Sequence, residues 1–154
     1  MSSDHGHRPS HDETAITILA MAKTIAVVGA SPDPSRASHD VMRFLQHEGY
    51  RCIPVNPQAA GETILGEPVV ATLHDIREPV DLVDVFRRAD AVPPIIDDAI
   101  AIGAKAIWLQ LGISHAEAED KARHRGLLVV SDDCPKMAVA RLGPAIAAAR
   151  RRGA

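Results

Sequence analysis

Short apolar runs alternate with amphipathic stretches along almost the whole chain. The uninterrupted run TIAVVGAS, Thr24–Ser31, is typical of a strand buried on both faces of a parallel sheet. Further strands are predicted at Cys52–Pro57, Val80–Phe86, Ala106–Leu111 and Leu127–Val130. In the third of these five strands, VDLVDVF, Asp81 and Asp84 alternate with apolar residues, so we expect it to be less buried than the first.

Helices are predicted between the strands, where apolar residues recur at the spacing of one helix face. Their predicted ranges are Glu13–Ala22, Ser38–Glu48, Ala91–Ile102, His115–Arg125 and Met137–Arg152, and the three middle ones end just before a glycine. Residues 61–70, with two glycines and a proline, are predicted to be a loop with weak strand character. The alternation predicts a single α/β domain, a Rossmann-like three-layer fold with a mostly parallel sheet of about five strands.

Composition excludes several classes of function. The chain has 154 residues, 46% of them hydrophobic, and a formal net charge of −3, which suits one globular domain and favours neither nucleic acid nor an anionic membrane as a partner. Cys52 and Cys134 form no CxxC pair, and no apolar run has the length of a membrane span or a signal peptide. We therefore expect a cytoplasmic protein. A homodimer is compatible with a domain of this size, although no residue pattern identifies an interface.

The chain begins with a polar segment, residues 1–13, which we expect to be a flexible tail ahead of the domain proper at 14–154. His5, His7 and His11 fall close together in it and could hold a divalent cation. No acidic or cysteine partner defines a geometry for such a site, so a solvated tail is the favoured interpretation.

The loop after the first strand is the most informative candidate site. In open α/β sheets, ligands bind at the carboxyl ends of the strands, where the strand order reverses. Gly29 permits a tight turn where a side chain would crowd a phosphate, and Ser31 and Ser38 offer hydroxyl groups. Arg36 adds a planar cation, and the helix that follows presents free N–H groups. These features predict a phosphate-bearing ligand, and the alternative is an ordinary turn with a solvent-facing arginine.

Missing motifs narrow the choice of ligand. The loop reads GASPDP and lacks the second and third glycines of GxGxxG, and the second strand runs into Val55-Asn56-Pro57 without an acidic residue for a ribose. Both departures argue against NAD. No GxxxxGK[ST] is present, which disfavours nucleotide hydrolysis of the P-loop type.

Five blocks together, VVGASPDPSRASHDV, GYRCIPVNP, GETILGEPV, VDLVDVFRR and AIWLQLGI, carry a resemblance to a known family. From about Thr24 to Leu142 the chain resembles the small stand-alone CoA-binding proteins, whose fold is similar to the CoA-binding domain of the succinyl-CoA synthetase α subunit. The resemblance implies coenzyme A, free or acylated, as the ligand. Cys134 and Lys136 match the family's last block, after which Ala138 and Val139 replace the usual Glu and aromatic or His.

The resemblance also implies which residues form the site. The CoA phosphates would be held by Gly29, Ala30, Ser31, Arg36 and Ser38. The adenosine 3′-phosphate would lie beside Asn56, Pro57 and Gln58. Phe86 and Arg87 would flank the adenine or the pyrophosphate, although a core position is an equal alternative for Phe86. The pantetheine groove would be lined by Leu109, Gln110 and Gly112.

No spacing in the sequence supports a catalytic triad, a carboxylate pair or a metal site. His115 is interpreted as a surface or capping residue at the start of a helix, and Cys134 as a structural thiol rather than a partner in a mixed disulfide with CoA. Non-catalytic binding of CoA or acyl-CoA is therefore the favoured function. A CoA-using enzyme subunit completed by a partner chain and a binder of another nucleotide such as NAD(P) remain as alternatives.

Overall fold

The computed structural model describes residues 9–153. Its helices are α1 (His11–Met21), α2 (Ala37–His47), α3 (Val92–Ala101), α4 (Ala116–His124) and α5 (Pro135–Gly153). Its strands are β1 (Thr24–Val28), β2 (Arg51–Val55), β3 (Thr63–Ile64), β4 (Glu67–Pro68), β5 (Leu82–Val85), β6 (Ala106–Leu109) and β7 (Leu128–Val130).

Five of the strands form a parallel sheet in the order β2-β1-β5-β6-β7. The chain runs outward from β1 to β2 and then returns past β1 to β5, so the strand order reverses at β1. The short strands β3 and β4 form an antiparallel hairpin that returns the chain to β2, where Val55 pairs with Val70. This arrangement confirms the predicted three-layer α/β fold and the weak strand character of residues 61–70.

The apolar residues form two clusters, one on each face of the sheet. The first cluster, between the sheet and the helices α1, α2 and α5, contains Leu19, Met42 and the fully buried Trp108. The second, under α3 and α4, contains Ile96 and Ala122 among its buried residues. Covering of both faces explains why the strands are nearly continuous apolar runs. Across residues 9–153, no helix combines the length with the hydropathy that a membrane crossing requires.

Helix α1 begins at His11, earlier than the predicted Glu13, because a capping box starts it. The Ser10 Oγ accepts the N–H of Glu13 at 3.1 Å, and the Glu13 Oε1 accepts the N–H of Ser10 at 2.8 Å. His11 lies on this helix with its Nε2 2.8 Å from the Asp133 Oδ2. The predicted histidine cluster also includes His5 and His7. These two residues, with the rest of residues 1–8 of the predicted tail, lie outside the described residues.

The prediction that the third main strand is less buried than the first is wrong. All four residues of β5 are buried, and Asp84 has no exposed surface, because β5 is the central strand and both its faces are covered. Asp81 lies just outside the strand and accepts the N–H groups of Lys23 and Thr24 at 2.9 and 3.0 Å. The alternation of Asp81 and Asp84 therefore indicates one aspartate at a strand end and one inside the core.

Asp84 is paired in register with Trp108 and has one polar partner. The Gln110 Nε2 donates to the Asp84 Oδ1 at 2.5 Å, while the Oδ2 has no partner among the described residues. Burial raises the pKa of Asp84 from its ordinary value of 3.8 to about 8. The central strand thus holds a carboxyl group that is protonated at neutral pH.

The substitution Asp84→Asn is expected to raise the free energy of unfolding at pH 8 and to leave it nearly unchanged at pH 4. An unfolded chain ionises this group near pH 4, whereas the folded protein ionises it only near pH 8. The wild type therefore loses stability relative to the variant as the pH rises between these values, by on the order of a few kcal/mol. Urea unfolding of both proteins across this range measures the difference, and a difference independent of pH would contradict the burial of a neutral acid.

Candidate functional site

The reversal of strand order brings the carboxyl ends of β1 and β5 together at one end of the sheet. The Phe86 N–H donates to the Val28 carbonyl at 2.8 Å, and the Gly29 N–H donates to the Val55 carbonyl at 2.9 Å. An open cleft of about 490 Å³ lies at this point. We call it the first cleft, and its lining residues are Gly29, Ser31, Pro32, Arg36, Ala37, Ser38, Asn56, Gln58, Ala59, Glu62 and Phe86. Crevices in this position are where open α/β sheets bind their ligands.

Gly29 is required by the sheet itself. Its φ of +87° lies in the left-handed region, and a Cβ built there would be 2.5 Å from the Phe86 carbonyl oxygen and 3.0 Å from the Arg87 Cδ. From the sequence alone, this glycine was expected to leave space for a phosphate. The structure shows a different reason, because the neighbour that excludes a side chain is the backbone at the end of β5.

Hydrogen bonds within the loop between β1 and α2 give it a defined shape. The Ser31 N–H donates to the Ser38 Oγ at 3.1 Å, and the Asp33 N–H donates to the Ser31 Oγ at 3.1 Å. The N–H and the hydroxyl of Ser35 donate to the Asp33 Oδ1 at 2.9 and 2.8 Å and hold the pKa of Asp33 below its usual range. Ser31 and Ser38, which are expected to contact phosphate, thus also contribute to the shape of the loop.

Asn56 ties this loop to the end of β2. Its Nδ2 donates to the Ala30 carbonyl at 2.9 Å, and its Oδ1 accepts the N–H of Gln58 at 2.9 Å. Its own N–H donates to the Val70 carbonyl at 2.9 Å, which connects the same residue to the β3–β4 hairpin. Asn56 lines the cleft, but its side chain already has partners on both polar atoms.

The start of α2 leaves donors free at the first cleft. Arg36 is the N-cap residue, and its side chain makes no capping hydrogen bond. Within residues 9–153, the N–H groups of Ala37 and Ser38 have no acceptor and Arg36 has no ion-pair partner. Two free N–H groups, a helix dipole and a guanidinium together suit a bound anion such as a phosphate.

A second cleft of about 350 Å³ shares Phe86 with the first and lies at the ends of β5 and β6. Its lining residues are Phe86, Arg87, Arg88, Gln110 and Ile113. In the described part of the chain, Arg87 has no ion-pair partner, whereas Arg88 lies 3.7 Å from Asp90. Gln110 faces this cleft while it donates to the buried Asp84.

The predicted site residues fall into three groups. Those on the first cleft are Gly29, Ser31, Arg36, Ser38, Asn56, Gln58 and Phe86, and those on the second are Phe86, Arg87 and Gln110. Four others line neither cleft: Ala30 and Leu109 are buried in the core, Pro57 is exposed, and Gly112 donates its N–H to the Asp132 Oδ1 at 2.7 Å.

Several lining residues were not predicted from the sequence. Among the residues that the structure describes, Glu62 is the one acidic residue on the first cleft. Glu62 precedes β3, and the hairpin returns the chain to β2, so this residue reaches the cleft through a long-range contact. No local pattern in the sequence signals that placement. Pro32 belongs to the predicted loop and Ala37 lies between that loop and the predicted helix, but neither was predicted as a site residue.

Two other predicted roles can be compared with the structure. His115 is the N-cap residue of α4, where its Nδ1 accepts the N–H of Ala118 at 3.2 Å, which confirms the capping interpretation. Cys134 is buried, and burial raises the pKa of its thiol. Because the thiolate is the reactive form of cysteine, this supports a structural thiol over a mixed disulfide.

The substitution Gly29→Ala is expected to lower the free energy of unfolding by about 3 kcal/mol, because it combines left-handed strain with a clash against the backbone. The matched control is Gly49→Ala, since Gly49 has a φ of +99° but no atom within 4 Å of a built Cβ. The control should lose only about 1 kcal/mol. Urea unfolding of both variants measures the difference, and equal losses would show that the Phe86 carbonyl does not exclude a side chain.

Comparison with known proteins identifies the family to which this chain belongs. The sequence pattern of the CoA binding domain matches residues 23–140. The uncharacterized protein YneT of Bacillus subtilis is 39% identical over 121 residues, which cover 79% of this chain and 88% of that protein. The solved structure of cell-free ID.343 from Thermus thermophilus is 44% identical, with a TM-score of 0.81 over 85% of this chain and 98% of that one.

A longer relative shares the same region. The ADP-forming acetate–CoA ligase I of Archaeoglobus fulgidus is 29% identical over 118 residues, which cover 74% of this chain but only 16% of the ligase. The similarity therefore concerns one part of that enzyme. The family's sequence pattern matches most of the chain, and both the relatives of similar length and the cleft at the point of strand reversal are consistent with that match. The chain belongs to the CoA binding domain family.

Proposed function

We propose that this protein binds coenzyme A or acyl-CoA across the two clefts and that it does so without catalysing a reaction. The observation that carries the proposal is the uncapped start of α2, with the unpaired Arg36, at the crevice between β1 and β5. Membership of the CoA binding domain family supports the choice of ligand.

The arrangement of the clefts is compatible with an elongated nucleotide. The pyrophosphate would accept the N–H groups of Ala37 and Ser38 and the guanidinium of Arg36, and Arg87 supplies a second cation at the end of β5. The pantetheine arm would continue into the second cleft, beside Phe86 and Gln110. Two further predicted residues, Ala30 and Leu109, would support these side chains from the core. Gly112 would support them through its backbone.

Three groups with catalytic potential near the clefts already have structural roles. The His115 ring caps α4, the Cys134 thiol is buried, and the Asp84 carboxyl is enclosed in the core and protonated at neutral pH. A nucleophile or general base needs access to the reacting atom. These placements support a binding role over catalysis by this chain alone.

A second candidate function is a CoA-binding subunit of an enzyme that a partner chain completes. The similarity to part of an ADP-forming acetate–CoA ligase favours it, because the matching region is 16% of a longer protein. A partner chain that co-purifies in fixed stoichiometry, and that confers acyl-CoA synthesis when mixed with this protein, would support this candidate over the solitary binder.

Purified protein, freed of ligand by unfolding and refolding, should bind CoA in calorimetric titration and bind NAD and ATP more weakly. The substitution Arg36→Ala is expected to weaken CoA binding by about tenfold or more, since it removes charge-assisted hydrogen bonds to phosphate. The matched control is Arg125→Ala, which removes the same charge from the end of α4. Heat from NAD or ATP but none from CoA would contradict the proposed ligand, and equal effects of the two substitutions would contradict the proposed phosphate site.

A further inference from the structure

The carboxyl group of Asp84 is enclosed in the core at a cost in free energy. It lies on the central strand β5, has no exposed surface, and is flanked in register by Val27 on β1 and Trp108 on β6. A polar group that is buried with an incomplete set of hydrogen bonds is less favourable than an apolar side chain in its place. A residue that departs in this way from an otherwise apolar core is expected to serve function rather than stability.

Gln110 connects this buried carboxyl to the second cleft. It comes directly after β6 and two residues after Trp108, which pairs with Asp84, so its side chain lies on the same face of the sheet as Asp84. Its Nε2 donates to the Asp84 Oδ1 at 2.5 Å. The same side chain is half-buried and lines the second cleft. The core carboxyl is therefore one hydrogen bond away from a surface that a ligand can reach.

This hydrogen bond determines which end of the Gln110 amide is available to a ligand. A glutamine amide has one donor atom, Nε2, and one acceptor atom, Oε1. Asp84 occupies the donor, and the Oε1 has no partner within residues 9–153. In that range the enclosed side-chain atoms without a partner are the His39 Nδ1 and the Asp84 Oδ2. The Gln110 Oε1 is not among them, so it is open to solvent at the cleft and can accept a hydrogen bond.

The second cleft has a single side-chain acceptor among the residues that the structure describes. Arg87 and Arg88 line it and can only donate hydrogen bonds. Phe86 and Ile113 line it and do neither. The Oε1 of Gln110 is the acceptor that remains, and it suits a ligand group that donates an N–H. The pantetheine arm of CoA contains amide groups with N–H donors, whereas the phosphates of the nucleotide end only accept.

We propose that the Gln110 Oε1 accepts an N–H of the amide-bearing arm of the ligand and that Asp84 is the positioning residue that holds the Gln110 amide in this orientation. The inference rests on the proposed function and deepens it, because it concerns the arm of the same ligand. Asp84 does not touch the ligand and acts only through Gln110. Because the Asp84 carboxyl is protonated at neutral pH, an asparagine has nearly the same shape and charge and offers the same acceptor.

The test is calorimetric titration of CoA and of its nucleotide half, 3′-phosphoadenosine 5′-diphosphate, which lacks the arm. Gln110→Ala is expected to weaken CoA binding by about fivefold to tenfold, since it removes one hydrogen bond to the arm. Asp84→Leu removes the partner of the amide and leaves the amide free to rotate, so CoA binding should weaken by about threefold. Neither variant should change the affinity for the nucleotide half.

Two further variants test whether Asp84 acts through Gln110. Asp84→Asn retains the acceptor and should bind CoA as the wild type does. The double variant Asp84→Leu with Gln110→Ala should bind CoA as weakly as Gln110→Ala alone, because Asp84 has nothing to position once the amide is gone. Two independent effects would add instead.

Controls separate this role from damage to the fold. Gln46→Ala is the matched control: Gln46 is also half-buried and its Nε2 donates to the Leu65 carbonyl at 3.2 Å, but it lines neither cleft. This variant should leave the affinity for both ligands unchanged. The unfolding midpoint of each variant shows whether it is folded, and Asp84→Ala, which adds no volume to the core, replaces Asp84→Leu if the larger side chain prevents folding.

The outcomes distinguish this inference from the proposed function. If CoA binds and Gln110→Ala leaves its affinity unchanged, the amide does not contact the arm. If Asp84→Leu weakens both ligands equally, if its loss adds to that of Gln110→Ala, or if Asp84→Asn does not restore binding, Asp84 does not position Gln110. Each of these results overturns the inference while CoA binding stands. If the wild type does not bind CoA, the proposed function fails and this inference fails with it.

Discussion

The close approach of β1 and β5 at Gly29 is the constraint on which the binding clefts depend. A side chain at this position would lie 2.5 Å from the Phe86 carbonyl, so the two strand ends can meet only if the residue is glycine. From that contact the chain leaves β1 in one direction and β5 in the other, since the strand order reverses between them. The crevice between the diverging loops is therefore a consequence of the sheet topology and does not depend on a ligand.

Polar side chains at the carboxyl edge of the sheet connect neighbouring loops. Asn56 joins the loop after β1 to the loop after β2, and Asp132 joins the loop after β7 to Gly112 after β6. These bonds hold neighbouring loops in one arrangement, which lowers the entropy that a ligand must remove on binding. Among the described residues of the first cleft, the start of α2 and the charged side chains of Arg36 and Glu62 stay free and are available to a ligand.

The family relationship indicates the fold, whereas the residues of the site indicate the function. Similar sequences occur as short chains such as YneT and as part of a longer ligase, so the shared region accompanies proteins of different size. Function resides in the particular residues at the rim. In this chain, the residues that line the first cleft include Arg36 on the segment after β1 and Glu62 on the segment after β2.

The sequence by itself determined the α/β class, the approximate positions of the main helices and strands, and the loops that carry most of the lining residues. These features depend on local periodicity and on the rule that parallel sheets bind ligands at their carboxyl ends. Only the tertiary structure decided that Asp84 is enclosed in the central strand, that Gly29 faces the Phe86 backbone, and that Glu62 reaches the cleft. Each of these depends on which strands become neighbours, and the order β2-β1-β5 is set by contacts between residues far apart in the chain, which no local pattern records.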